Sequence, residues 1–121
     1  MKFDMSSPIV NIWGTEYLAE LGLIEHTALG YEDHGIFTYM LDMDFAGHNQ
    51  GFGGRFIANL RDVLESILKV TGSNGWESVR GKRLYALRTT PYGLIEGLLS
   101  LDQERVFLPG VQEELIVDPR D

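Results

Sequence analysis

Alternation of apolar and polar side chains is the clearest pattern in the first half of the chain. Over residues 36–45, one set of alternate positions is apolar throughout and predicts a strand with a buried face: Phe37, Tyr39, Leu41, Met43 and Phe45. Shorter strands are predicted at 23–29 and 52–57, separated from it by turn-forming residues at 30–35 and 46–51. These three segments predict an antiparallel meander.

A helical period follows the meander. Apolar residues recur at the i, i+3, i+4, i+7 and i+8 spacing of an amphipathic helix over residues 60–70: Leu60, Val63, Leu64, Ile67 and Leu68. Asn59 is suited to the N-cap and Gly72 to the C′ position, where a left-handed backbone ends a helix. This segment predicts one helix packed on the sheet.

The remaining segments complete an α+β architecture. Strands are predicted at 82–89 and 94–101 around a turn at 90–93, although the apolar spacing of 94–101 also suits a short helix. A short helix is predicted over 15–22, with Thr15 as its N-cap, Leu18 and Leu21 at the i, i+3 spacing, and Gly22 as the residue that ends it. We therefore expect one domain, 1–121, with an extension (1–22), a core of meander, helix and hairpin (23–101), and a tail (102–121) whose residues 115–117 form an edge strand.

Composition narrows the classes of protein that fit this pattern. The chain has 121 residues, 44% hydrophobic and 11% aromatic, which is typical of a folded domain. It has no cysteine, which excludes disulfide scaffolds, zinc–thiolate sites and thiol nucleophiles. The N-terminal residues lack the apolar stretch of a signal peptide and no segment is long enough to span a bilayer, so we expect a cytoplasmic protein without membrane contact.

The net charge of −8 is unevenly distributed. Residues 1–54 carry eight acidic side chains and one basic side chain, whereas residues 55–88 carry seven basic and three acidic ones. This division predicts an acidic surface and a smaller basic patch made by Arg80, Lys82, Arg83 and Arg88. Because cationic side chains supply most non-specific affinity for phosphates, direct nucleic-acid binding is not expected.

Few residues in the sequence are candidates for metal binding or catalysis. His34 lies beside Glu32 and Asp33, and His48 lies in the next turn, but the two turns stand at opposite ends of one predicted strand about ten residues long. We therefore expect no metal site, no catalytic residue and no cofactor, and we interpret the 30–35 segment as a structural turn.

The glycine-rich segment at 51–54 favours a close approach to the backbone. An aromatic side chain such as Trp13 or Trp76 lying flat on the strand is the structural interpretation. The alternative is a site for a small anionic, nucleotide-like ligand built from Phe52, Gly53, Gly54 and Arg55 ahead of a helix, although the spacing matches no phosphate-binding motif.

Three segments resemble a family of small proteins of unassigned function encoded by tailed bacteriophages and prophages. They are Gly-Tyr-Glu-Asp-His-Gly-Ile-Phe-Thr at 30–38, Gln-Gly-Phe-Gly-Gly at 50–54, and Gly-Trp-Glu at 75–77 ahead of Gly81. The likeness spans roughly residues 29–101; the chain departs from the family in its N-terminal extension and at 46–49. The resemblance implies phage origin and a host-cell cytoplasm, and it carries over no catalytic residue.

Together these observations predict a non-enzymatic accessory protein that binds a host protein or protein complex, in one form as an acidic inhibitor of a nucleic-acid-binding defence complex. The residues expected to contact the partner are Tyr31, Glu32, Asp33, His34, Asp42 and Asp44. The ligand-binding module and a phage structural or assembly component are the alternatives. The oligomeric state is left open, a homodimer included.

Overall fold

The computed structural model describes residues 8–31, 35–55 and 60–109, which form a seven-stranded antiparallel sheet and one α-helix. In chain order the elements are β1 Ile9–Ile12, β2 Thr15–Tyr31, β3 Phe37–Phe45, β4 His48–Arg55, α1 Leu60–Thr71, β5 Arg83–Arg88, β6 Gly97–Leu99 and β7 Val106–Phe107, with a 3-10 turn at Trp76–Ser78. The strand order is β4-β3-β2-β5-β6-β7, and β1 pairs with β2. The α+β prediction is confirmed, but the sheet has more strands than the predicted meander and hairpin supply.

The predicted helix over 15–22 is wrong, because these residues begin the 17-residue strand β2. Trp13 and Gly14 have φ of 50° and 89° and join β1 to β2 in a two-residue turn, which the Asn11 side chain closes by accepting a hydrogen bond from the Gly14 N–H. Thr15 is therefore the first residue after a hairpin turn. Tyr17 and Ala19 are buried at alternate positions, as a strand requires.

The predicted meander corresponds to β2, β3 and β4, which are paired antiparallel. In β3 the alternation is as expected, with Tyr39, Leu41, Met43 and Phe45 buried and Phe37 half-buried. The turn between β3 and β4 contains only Ala46 and Gly47, so β4 begins at His48, earlier than predicted.

Helix α1 confirms the prediction from the 3.6-residue period. Val63, Ile67 and Val70 pack against sheet residues such as Leu41 and Leu84. The helix ends in a Schellman motif at Gly72, whose φ is 69°: the Gly72 N–H donates to the Lys69 carbonyl and the Ser73 N–H donates to the Leu68 carbonyl. Asn59, the predicted N-cap, lies outside the described residues.

The strands in the second half of the sheet are shorter than predicted. Within 94–101 only Gly97–Leu99 forms a strand, and β7 lies in the segment predicted as a tail. A Cβ at Gly97 would lie 2.5 Å from the Phe107 carbonyl oxygen, so the absent side chain lets the end of β7 pack against β6. The predicted edge strand at 115–117 falls outside the described residues.

The two faces of the sheet differ. One face, the helix face, packs under α1 and forms the larger core, which includes Ile24, Met43 and Leu98. The other face carries a second buried cluster over β2, β5 and β6, built around Tyr17, Leu87 and Leu99. Over residues 21–31 of β2, and over β3 and β4, the same face is largely exposed.

Candidate functional site

The exposed region over β2, β3 and β4 contains two of the predicted partner-binding residues. We call it the open face and define it by Leu21, Met40, Asp42, Asp44 and Gly51. Asp42 and Asp44 alternate with the buried Leu41 and Met43, so both carboxylates lie on the side of β3 opposite the core. Leu21 is 48% exposed and Met40 37% exposed, which places apolar surface beside the carboxylates.

Gly51 leaves space on this surface for a neighbouring side chain. It pairs with Asp42 across β3 and β4, and a Cβ at Gly51 would lie 2.9 Å from the Met40 sulfur. The missing side chain therefore makes room for the thioether of Met40. The sequence-based expectation of an aromatic ring on this strand is wrong at Gly51, because the neighbour is a methionine.

A β-bulge adds a third carboxylate near this surface. The register of β2 against β3 shifts between Ile24 and His26, leaving Glu25 as the extra residue. The Glu25 Oε1 accepts a hydrogen bond from Asn49 Nδ2 at 3.0 Å, which holds this side chain against β4. The Arg80 Nε donates to the Glu25 carbonyl oxygen at 2.9 Å and so brings one cation to the border of the acidic region.

The other predicted partner-binding residues are not gathered with Asp42 and Asp44. Tyr31, 77% exposed, ends β2 and contacts the Phe37 ring edge to face with centroids 5.1 Å apart. Phe37 is five residues from Asp42, so Tyr31 stands about 17 Å away along the strand direction. Glu32, Asp33 and His34 lie outside the described residues.

The residues of the ligand-binding alternative lie in β4. Phe52 is buried and packs edge to face on Tyr39 and Phe107, with ring centroids 6.3 and 6.0 Å away. Gly53 and Gly54 have φ of 153° and 133°, and a Cβ at Gly53 would collide with the Tyr39 carbonyl. The close approach expected in this segment is therefore made by strand β3 at Gly53, whereas nothing lies within 4 Å of a Cβ placed at Gly54. Arg55 ends β4, opposite Thr38.

A polar cluster centred on Arg88 was missed by the sequence analysis, which placed this residue in an exposed basic patch. That expectation is wrong: the Arg88 side chain is 2% exposed. Its Nη1 donates to Glu20 Oε1 at 2.6 Å, its Nη2 to Gln50 Oε1 at 2.6 Å and its Nε to the Gly93 carbonyl at 3.2 Å. The guanidinium carbon lies 4.9 Å from the centroid of the Phe45 ring.

A signal for this burial exists in the sequence. Leu84, Ala86 and Arg88 occupy alternate positions of β5, and the first two belong to the core under α1. Alternation therefore carries Arg88 to the same face. Its partners Glu20 and Gln50 come from distant segments, and no local pattern links them to Arg88.

A cavity of about 370 Å³ adjoins the Arg88 cluster, lined by Glu20, Gly47, His48, Gln50, Arg88, Pro91, Tyr92 and Gly93. The His48 ring stacks on Phe45 at 5.0 Å, and its Nε2 lies 3.7 Å from Glu20 Oε1. Both Gln50 Nε2 and Arg88 Nε donate to the Gly93 carbonyl, so the cluster fastens the connection between β5 and β6 to the sheet. We assign it a structural role on these contacts.

Within the described ranges, no three histidine or acidic side chains come together in a way that could hold a metal ion. Nor does any helix there have the length and apolar character needed to cross a bilayer. Comparisons with family models, with curated proteins and with solved structures found no match to this chain.

Proposed function

We propose that this chain is a non-enzymatic protein that binds a basic macromolecular partner through the open face. The single observation that carries the proposal is the position of Asp42 and Asp44 beside exposed Met40 and Leu21, on a sheet whose opposite face is buried by α1. Carboxylates steer a basic partner and discriminate against acidic ones, while exposed apolar side chains supply contact area.

The size of the open face indicates the kind of complex to expect. Three strands about 4.8 Å apart and about 30 Å long present roughly 400 Å². This is about half of what each partner contributes in a standard-size interface. An interface this small gains much of its affinity from charge, so we expect binding to weaken as salt concentration rises.

The proposed partner is a protein or protein complex of a bacterial host cell, because the glycine-rich segments resemble those of phage and prophage proteins. A basic groove that ordinarily holds nucleic acid is the specific form of this proposal. A chain with net charge −8 suits such a groove better than it suits nucleic acid itself.

The test compares three forms of the immobilised chain in bacterial host lysate at two salt concentrations. The first is the wild type, the second is Asp42→Lys/Asp44→Lys, and the third is the charge-matched control Glu16→Lys/Glu77→Lys. Glu16 and Glu77 are exposed, and neither belongs to the open face: Glu16 lies where β2 pairs with β1, and Glu77 lies in the 3-10 turn after α1. We expect one defined partner that the wild type and the control retain and that the open-face variant loses.

Two further measurements sharpen this test. Displacement of the recovered partner by duplex DNA would support a nucleic-acid groove as the binding site. Equal recovery by the open-face variant would contradict the proposal, and recovery of the chain in purified virions would favour a structural component instead.

A further inference from the structure

A second cavity, of about 360 Å³, lies at the C-terminal end of α1. Its lining includes Lys69, Thr71, Gly72, Arg83, Asp102 and Arg105. These residues come from three separate parts of the chain: the last turn of α1, the start of β5 and the turn between β6 and β7. The fold therefore brings three cationic side chains to one concave surface in a protein whose net charge is −8.

The cations outnumber the carboxylates at this cavity. Lys69, Arg83 and Arg105 line it together with one acidic residue, Asp102. Lys69 and Arg83 form no ion pair with any carboxylate of the described residues. Because like charges repel each other, an anion in the cavity would lower the free energy of this arrangement.

Asp102 is already engaged in the turn between β6 and β7. Its Oδ1 accepts hydrogen bonds from the Ser100 hydroxyl at 2.6 Å and from the Glu104 N–H at 2.9 Å, and these bonds hold the pKa of its carboxyl below the ordinary value. The Ser100 Oγ in turn accepts from the Arg105 N–H at 3.0 Å. These contacts fix the backbone that carries Arg105.

Two of the carbonyls at the helix end beside the cavity already accept hydrogen bonds. C-terminal carbonyls normally repel an anion, and of the last four here those of Leu68 and Lys69 accept bonds from the Ser73 and Gly72 N–H groups. The Thr71 hydroxyl donates to the Ile67 carbonyl at 2.7 Å. Gly72 adds no side chain, and nothing lies within 4 Å of the place where its Cβ would stand.

We propose that this cavity binds a small phosphate-bearing molecule through Lys69, Arg83 and Arg105. Guanidinium groups match the geometry of phosphate oxygens, and an ammonium group adds a further positive charge. The volume lies within the range of small-molecule sites and exceeds what a single phosphate ion fills. The exposed Leu101 at the rim supplies apolar surface for the rest of such a molecule.

The site does not overlap the open face or the Gly51–Gly54 segment considered for a ligand from sequence. A phosphate-bearing ligand here is therefore independent of the partner proposed above. Substitutions at Asp42 and Asp44 test one proposal and substitutions at the cavity test the other.

The experiment is calorimetric titration and thermal denaturation of the full chain at constant ionic strength. The probes are inorganic phosphate, pyrophosphate, and a nucleoside monophosphate and diphosphate, with sodium chloride as the salt control. We expect saturable binding of at least one phosphate probe, and we expect Arg83→Gln and Arg105→Gln each to weaken it about tenfold. Saturation by nucleotides alone would identify the ligand as a nucleotide, and saturation by the inorganic anions as well would place the recognition in the phosphate.

The matched control is Arg61→Gln, which makes the same substitution on the outside of α1, where Arg61 pairs with Glu65. It should bind like the wild type. Circular dichroism and the melting temperature without ligand show that each variant is folded. The proposal is overturned if every phosphate probe gives only the non-saturating response of chloride, or if the cavity variants bind as tightly as the Arg61 variant.

Discussion

Arg88 and Glu20 form an ion pair across strands β5 and β2, with Nη1 2.6 Å from Oε1 and side chains only 2% and 16% exposed. Leu18 pairs directly with Arg88, so the partner carboxylate stands two residues further along the same face. The pair is held inside a set of further contacts to Gln50, Gly93 and the Phe45 ring. An ion pair in this setting contributes to the stability of the fold mainly because neither charge is left alone.

Replacement of Arg88 by Met should therefore be strongly destabilising. It leaves the largely buried Glu20 carboxylate and the Gln50 Oε1 without the hydrogen bonds that Arg88 donates to them, and we expect a loss of about 3 kcal/mol in the free energy of unfolding. Urea denaturation of the wild type and the variant measures this loss.

Two comparisons identify the cause. Arg61→Met, which removes an exposed pair on α1, should change stability little. The double variant Glu20→Gln/Arg88→Met should recover part of the loss, because no unpaired charge remains. Equal stability of the Arg88 and Arg61 variants would show that the buried pair is unimportant.

How far the fold follows from local sequence depends on whether the deciding contact is local. Helix α1 has five apolar residues at the 3.6-residue period of a helix, and β3 has five at the two-residue period of a strand, so both elements were predictable. The segment 15–22 fits either structure, because Leu18 and Leu21 have a helical spacing whereas Tyr17, Ala19 and Leu21 alternate as in a strand. This segment is a strand because it pairs with β5, where Ala19 lies opposite Leu87. The two residues are far apart in the sequence, so a local pattern does not show this contact.

The candidate sites also differ in whether a local sequence pattern could predict them. Asp42 and Asp44 could be placed on an exposed face, because alternation along β3 is a local property. Glu20, Gln50 and Arg88 could not be joined, and the cavity formed by Lys69, Arg83 and Arg105 could not be anticipated. In both cases the residues meet only through the order of the strands in the sheet.

Gly53 and Gly54 provide a matched pair for testing the close approach of β4 to β3. Both have positive φ, but a Cβ would meet the Tyr39 carbonyl at Gly53 and open space at Gly54. We expect Gly54→Ala to cost about 1–3 kcal/mol from backbone strain. Gly53→Ala should cost about 2 kcal/mol more, because the strands must separate. Denaturant unfolding of both variants checks the difference, and equal losses would argue against the contact.

Gly72 ends α1 with a left-handed backbone and open space around its Cβ position. Its substitution should therefore cost only the backbone strain. We expect Gly72→Ala to lower the free energy of unfolding by about 1 kcal/mol and Gly72→Asn to lower it less, since asparagine tolerates this conformation better. Thermal denaturation ranks the three proteins. The same melting temperature for all three would contradict the assignment of the Schellman motif.

Tyr39 should make the protein sensitive to alkaline pH. Burial raises the pKa of its phenol from 10.0 to about 12, because the charged phenolate would lose its hydration inside the core. Below pH 10 the phenol is protonated in both folded and unfolded chains, and its contribution to stability is constant. Between pH 10 and about 12 the unfolded chain releases this proton more readily than the folded chain, so the free energy of unfolding falls as pH rises.

The variant Tyr39→Phe isolates this contribution. Urea denaturation at a series of pH values should give a shallower loss of stability for the variant than for the wild type through that window. Tyr17, whose pKa is also raised by burial and by the nearby Glu96 carboxylate, is present in both proteins and cancels in the comparison. Parallel curves for the two proteins would mean that the Tyr39 phenol ionises in the folded state as readily as in the unfolded chain. The ring would then be less well packed against Phe52 than the 6.3 Å edge-to-face contact indicates.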